Sequence, residues 1–236
     1  DSYFQLLTTQ LLMRKYDLSD EEIDDGITDG GNDGGWDGVY SFINDEIIRE
    51  DDDRNINTIR SINLSINIIQ AKNVSGFSED AIMKWKTSSS NLLDLDKNPS
   101  DYSSRYNEKL LSKVRLFRDS YVKSIRKPLT LEINYYYAAN AVEVHPNVQQ
   151  QANELIAETT TLFPSATVKV FFVTSQEIMR LYTSHKETSF VLPCKVLSNA
   201  SEKKEFIALV SLNDYFTFIT NGTDKMIRYI FESNVR

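Results

Sequence analysis

Six of the chain's eight glycines fall within residues 26–38, GITDGGNDGGWDG, and that density constrains the backbone more than any other feature. Glycine takes positive φ without steric cost, so such a run predicts a tight irregular loop that neither a helix nor a strand can pass through. Asp29, Asp33 and Asp37 are interleaved with the glycines. Carboxylates held by a rigid turn suit a hard divalent cation, which takes oxygen ligands. A separate strand follows at 62–73, INLSINIIQAKN, where alternation sets Leu64, Ile66, Ile68, Gln70 and Lys72 on one face. Gln70 and Lys72 thus end an otherwise apolar face. That arrangement is costly unless the two groups are hydrogen-bonded, ion-paired or metal-bound.

At 236 residues, the chain can hold one large domain or two small ones. Its 41% hydrophobic and 25% charged residues are those of a globular protein. No apolar stretch approaches the roughly 18 residues of a membrane-spanning helix. The opening DSYFQLLTTQLLMRKYD lacks the basic, apolar and cleavage regions of a signal peptide, and the missing initiator Met suggests a trimmed start. A single cysteine, Cys194, excludes an internal disulfide framework and a cysteine-rich zinc site. Its setting, SFVLPCKVL, predicts a small buried hydrophobe in a strand. The sequons at Asn63, Asn73, Asn199 and Asn221 carry little weight, and a reducing cytoplasm fits best. The net charge of −8 requires that any grip on nucleic acid come from a local basic patch, a metal or further parts of the protein.

Local patterns predict an α/β fold. Phe4, Leu7, Leu11 and Leu12 have helical spacing, and Ser19 with Glu22 forms a capping-box pattern for a short second helix. WDGVYSFIN and the 62–73 strand read as an antiparallel pair across an acidic connector. Helices are expected over 79–95, 104–126, 147–163 and from about Gln176, with strands over 129–140 and 166–175. The strand–helix–strand order from 129 to 175 argues for a parallel pair with a crossover helix. Strands at 188–197 and 205–220 and a last helix over 224–236 complete the reading, with a soft domain boundary near residue 128.

Asp37 begins the first strand and Gln70 and Lys72 end its partner, so antiparallel pairing can bring the three together. A carboxylate and an amide oxygen can share one Mg²⁺ and leave positions for water and a phosphate oxygen. Lys72 can orient or deprotonate that water, or stabilise charge on the phosphate. Asp33, Asp29 or Glu22 would supply a further carboxylate. Taken singly, each residue has an ordinary alternative: a turn aspartate, a strand-end amide, a surface lysine. A calcium loop fits poorly, because the aspartates recur at every fourth residue and not every second. A phosphate-binding glycine loop lacks its GxxxxGK[ST] pattern, and no nucleophile elbow is present. Neither His145 nor His185 has ligand spacing, and His145 precedes Pro146 at a helix start. The Tyr135–Tyr137 run fits sheet packing better than base stacking. Lys109, Lys113, Arg115, Arg118, Lys123, Arg126 and Lys127 form either a basic stripe or a solvated helix face.

Asp33-Gly34-Gly35-Trp36-Asp37 and Gln70-Ala71-Lys72 resemble the PD-(D/E)xK nuclease superfamily in its Mrr-like variant, with a DGG-x-D turn and a Q-x-K strand. Within it, ITDGGNDGGWDGVY, IIQAKN and the terminal IFESNVR resemble the abortive phage infection (AIPR) family. The likeness covers residues 20–73 and the last seven. It implies a restriction-endonuclease-like core, a mixed sheet flanked by helices, over residues 1–128, with an α/β extension over 129–236. It further implies an endonuclease dependent on Mg²⁺ or Mn²⁺ that cleaves DNA in antiphage defence. By position Asp37 and Gln70 match the metal-binding pair, with Asp33 as a candidate third ligand, and Lys72 matches the catalytic lysine. The superfamily often adds a glutamate from the first helix, yet residues 1–20 contain none, so that ligand is absent or replaced. Members of the family are longer, so a C-terminal region is expected to be missing. Two other readings remain: a nuclease-fold binding or sensor module without catalysis, and an RNase. Many such nucleases cut duplexes as homodimers, and the apolar 205–220 segment suits either an interface or a core.

Overall fold

The computed structural model describes residues 2–50, 56–184, 191–199, 206–220 and 226. The chain divides into two compact units, Asp1–Thr183 and Ser184–Arg236. In the first, helices α1 (Ser2–Met13) and α2 (Asp20–Asp25) precede strands β1 (Gly38–Ile43), β2 (Glu46–Ile47) and β3 (Ile62–Lys72). Helices α3 (Glu79–Leu92) and α4 (Glu108–Ser124) lead to β4 (Leu129–Ala139), α5 (Pro146–Leu162), β5 (Ala166–Val173) and α6 (Ser175–Thr183). The five strands form one mixed sheet in the order β2-β1-β3-β4-β5. β1 runs antiparallel to β3, while β3, β4 and β5 are mutually parallel.

The expected break near residue 128 falls between two paired strands, since β3 and β4 are in register from Ile62–Leu129 to Lys72–Ala139. The coarse expectation of a mixed sheet flanked by helices is met. β3 is central and covered on both faces. Ile62, Leu64, Ile66 and Ile68 pack beneath α3, α4 and α5 with Trp85, Leu111, Phe117 and Leu155. On the other face Ile69 joins Met13, Ile23, Tyr40 and Phe42. A strand buried on both sides reads as a nearly continuous apolar run, as INLSINIIQAK does. One buried polar exception, Asn67, pairs in register with Asn134. The Asn134 side-chain amide donates to Asn67 Oδ1 at 3.2 Å, and Asn67 Nδ2 reaches the Tyr16 hydroxyl at 3.2 Å. Those bonds offset the cost of burying the amides.

Local signals place most of these elements. Ser19 Oγ accepts the Glu22 amide and Glu22 accepts the Ser19 amide, closing the capping box expected for α2. His145 caps α5, its Nδ1 accepting from Asn147 N at 3.2 Å, with Pro146 in the first turn. Tyr135 and Tyr137 lie in the core and Tyr136 stacks on Phe171, so the tyrosine run packs the sheet. The basic stripe on α4 is mostly engaged within the fold. Lys113 pairs with Asp25 and Arg115 with Glu108. Arg118 donates to the carbonyls of Leu92, Leu95 and Lys97, closing the end of α3 and the loop after it. Lys127 donates to the carbonyls of Ile56 and Ile59.

The second unit departs from expectation. β6 (Val196–Asn199) pairs antiparallel with β7 (Phe206–Leu209), and helix α7 (Leu212–Thr220) follows. The 205–220 run is therefore a short strand and then a helix. Its β-rich composition conceals a start signal: Ser211 Oγ accepts the Asp214 amide at 3.1 Å, capping α7. Cys194 is exposed and not buried, because the strand begins only at Val196. Pro193 lacks the N–H that a ladder requires. His185 and, apart from Met226, the helix expected over 224–236 lie outside the described residues. Among the described residues no helix is long and apolar enough to cross a membrane.

Ser19→Ala removes one half of the capping box and should cost about 1 kcal/mol of unfolding free energy in urea titration. A loss below a few tenths would mean that packing alone holds α2.

Candidate functional site

The pairing of Gly38 with Ile69 sets Asp37 opposite Gln70 at the open end of the β1–β3 ladder. The Ala71 amide donates to Asp37 Oδ2 at 2.9 Å, fixing the carboxyl between Gln70 and Lys72. Asp37, Gln70 and Lys72 thus share one end of the sheet, on the face covered by α3–α5. The glycine loop closes over them. Gly30, Gly31, Gly34 and Gly35 all have positive φ, as does Asn32. Two of these glycines are required by contact as well. A Cβ on Gly34 (φ +63°) would stand 2.4 Å from Ser88 Oγ and 2.7 Å from the Tyr106 ring. On Gly35 (φ +81°) it would stand 3.2 Å from Gln70 Nε2.

Helix α3 anchors the loop from above. Trp85 Nε1 donates to Gly35 O at 2.6 Å and Ser88 Oγ to Gly34 O at 2.8 Å. Asn107, which also caps α4, ties down the other flank by donating to Thr28 O and Gly31 O. Asp33 Oδ1 accepts the Gly35 amide at 2.7 Å and holds the turn from within. From the opposite face of the sheet, Gln5 on α1 donates to the Asp37 carbonyl at 3.2 Å, beside the Thr28 amide at 3.0 Å.

The electrostatics follow from that enclosure. Burial pushes the Asp37 carboxyl up to about 7 from an ordinary 3.8. The charges of Asp33 and Asp29 add to the rise, while the Ala71 N–H and Lys72 oppose it. Tyr137, in register with Gln70 on β4, has its hydroxyl raised chiefly by burial and further by Asp37. Gln70 is buried, and its Oε1 has no hydrogen-bond partner among the described residues. A buried acceptor without a donor, beside a carboxyl short of positive charge, is a donor set suited to a hard cation.

Asp37 and Gln70 together offer a carboxylate and an amide oxygen to a divalent cation, and Asp33 stands on the loop close enough to raise the Asp37 pKa by its charge. Among the described residues no group of three His, Cys, Asp or Glu side chains is placed to hold a metal. An ion there would rely on an amide oxygen, and Mg²⁺ ordinarily keeps several waters in such sites. Glu22, a candidate from the sequence, is engaged elsewhere, by the Ser19 amide and Arg49. Asp29 accepts the Gly30 amide at the exposed side of the loop.

Sequence reasoning missed Gln5, Tyr137, Trp85 and Ser88. Gln5 left a trace, since Gln5, Thr8 and Thr9 form a polar stripe that turns out to be the buried side of α1. No family model, curated protein or solved structure matches the chain. The site therefore rests on its own geometry. The IFESNVR likeness lies outside the described residues.

The folded Asp37 value lies above the unfolded one, so its protonated form favours the folded state. That contribution is complete below pH 3.8 and is lost as pH rises through about 7. Without divalent cations, Asp37→Asn should exceed the wild type in stability at pH 8 by roughly 2–4 kcal/mol and match it near pH 4. Urea titrations at the two pH values check this, and identical pH slopes in both proteins would refute desolvation of the carboxyl.

Proposed function

We propose that the chain is a metal-dependent phosphodiesterase acting on nucleic acid, an endonuclease of the PD-(D/E)xK type related to the AIPR family and serving antiphage defence. The observation that carries this reading is the meeting of Asp37, Gln70 and Lys72 at one sheet end, with a buried amide oxygen lacking a donor. Asp37, Gln70 and Asp33 would hold Mg²⁺ or Mn²⁺, and such an ion supplies a Lewis acid for the phosphate and a water of lowered pKa.

The chain's own residues divide the remaining work. The Ala71 N–H and the Asp33 turn keep the acidic side chains from rotating away, so little reorganisation accompanies substrate binding. Lys72 acts near Asp37, where its ammonium can orient the attacking water or neutralise charge growing on the phosphate. Gly35, with no side chain, lets the loop pack closely against Gln70. DNA is the expected substrate, and the same chemistry would serve RNA. The reading also includes action in the cytoplasm, a homodimer on duplex DNA and a further C-terminal region of the same protein as partners.

One observation favours a second reading, a nuclease-fold binding module without catalysis. Among the described residues no group of three acidic side chains is placed to hold a metal, and residues 1–20 contain no glutamate to supply the ligand that the superfamily often takes from its first helix.

The direct test is cleavage of supercoiled plasmid in Mg²⁺ or Mn²⁺. Nicking should fall at least 100-fold in Lys72→Ala and vanish in Asp37→Ala or with EDTA, while urea titration finds both variants folded. Wild-type rates in either variant would remove the site assignment.

A further inference from the structure

Beside the glycine loop lies an open groove of about 570 Å³, lined by Asn32–Gly35 on one side and by Asp80, Met83, Lys84, Thr87, Arg105 and Tyr106 on the other. It adjoins the candidate site, since Gly35 lines it and also lies against Gln70 Nε2 and Lys84 Cβ. Two exposed cations face it. Arg105 holds its guanidinium 5.7 Å from the centre of the Tyr106 ring, whose hydroxyl accepts from Asn91. Lys84 stands on the exposed side of α3, one residue before the buried Trp85.

Several other cations in the fold are engaged by acids. Lys86, Lys97, Lys113, Arg115 and Arg180 are each paired with carboxylates. Among the described residues neither Lys84 nor Arg105 has an ion-pair partner. Of the two acids in the groove, Asp33 is turned to the Gly35 amide, and Asp80 sits in the first turn of α3, where the helix dipole favours negative charge. Exposed Met83 adds an apolar surface between the charges. Anions at intervals with apolar rings between them match such a lining, and a single polynucleotide strand has that chemistry. The volume is in the range of sites that take small ligands, roughly 300–1,000 Å³, and so admits a phosphate, sugar and base.

We propose that this groove is the track for a single nucleic-acid strand, with Arg105 and Lys84 each holding a phosphate next to the one presented to Asp37 and Lys72. The inference rests on the nuclease reading for its direction but is measured without cleavage. Fluorescence anisotropy in EDTA would use a labelled 12-nucleotide single strand, as DNA and as RNA, and a duplex of the same sequence. The Lys84→Ala/Arg105→Ala protein should bind the single strand at least 10-fold more weakly. Its plot of log affinity against log salt should flatten by about 1.4, two phosphates at roughly 0.7 each. Lys84→Arg/Arg105→Lys should retain the wild-type salt slope. An unchanged slope in the alanine protein, tighter binding of the duplex, or no binding by the wild type would each overturn the groove assignment. Groove-dependent binding with no cleavage under any metal would instead remove the nuclease reading and leave the groove standing. Cleavage by the wild type with an indifferent alanine protein would do the reverse.

Discussion

A carboxyl group withdrawn from water needs compensating charge or donors, and Asp37 has one amide, from Ala71, and a lysine nearby. Much of the first unit serves to keep it in that position. The β1–β3 pairing sets it opposite Gln70, α3 presses the glycine loop down through Trp85 and Ser88, and α1 reaches the Asp37 carbonyl through Gln5. Each contact stabilises the backbone, and none neutralises the carboxyl. Free energy spent in burying an under-compensated acid is recovered when a cation binds. The proposed hydrolysis and the pH-dependent stability are two consequences of this one constraint.

The same economy governs the cations. With a net charge of −8, the fold still engages several of its basic side chains internally. Arg118 is the clearest case: its guanidinium satisfies three carbonyls around the end of α3, and burial lowers its pKa. A sequence scan sees Arg118 as part of a basic stripe, whereas the fold uses it as a cap. Lys84 and Arg105, which have no ion-pair partner among the described residues, are separated by 20 residues and come together only because α3 and the segment before α4 flank the same loop. No local pattern could have announced them.

Much of the architecture was legible because its signals are local. Alternation in INLSINIIQAK identified the face that carries Gln70 and Lys72, and the Ser19–Glu22 box marked α2. Strand–helix–strand order gave the parallel β4–β5 pair. What failed was of two kinds. At 205–220, β-branched and aromatic residues outweighed a four-residue cap signal in the reading, and the cap prevailed in the fold. In α1, the spacing of Phe4 and Leu7 marked the helix but not its buried side, where Gln5, Thr8 and Thr9 lie deeper. Gln5 is drawn in because α1 covers the sheet next to the Asp37 backbone, whose carbonyl it meets with a donor. Tertiary demand of this kind has no signature along the chain.

The central claim is that Asp37 and Gln70 form a cation site created by burial. Calorimetric titration of Mn²⁺ at pH 7, in two buffers of different ionisation enthalpy, addresses it most directly. The account expects one site in the wild type, with proton release on binding because burial raises the Asp37 carboxyl towards neutral pH, and no site in Asp37→Asn. Absence of Mn²⁺ binding by the folded wild type, or binding of equal strength with no proton release in both proteins, would contradict it.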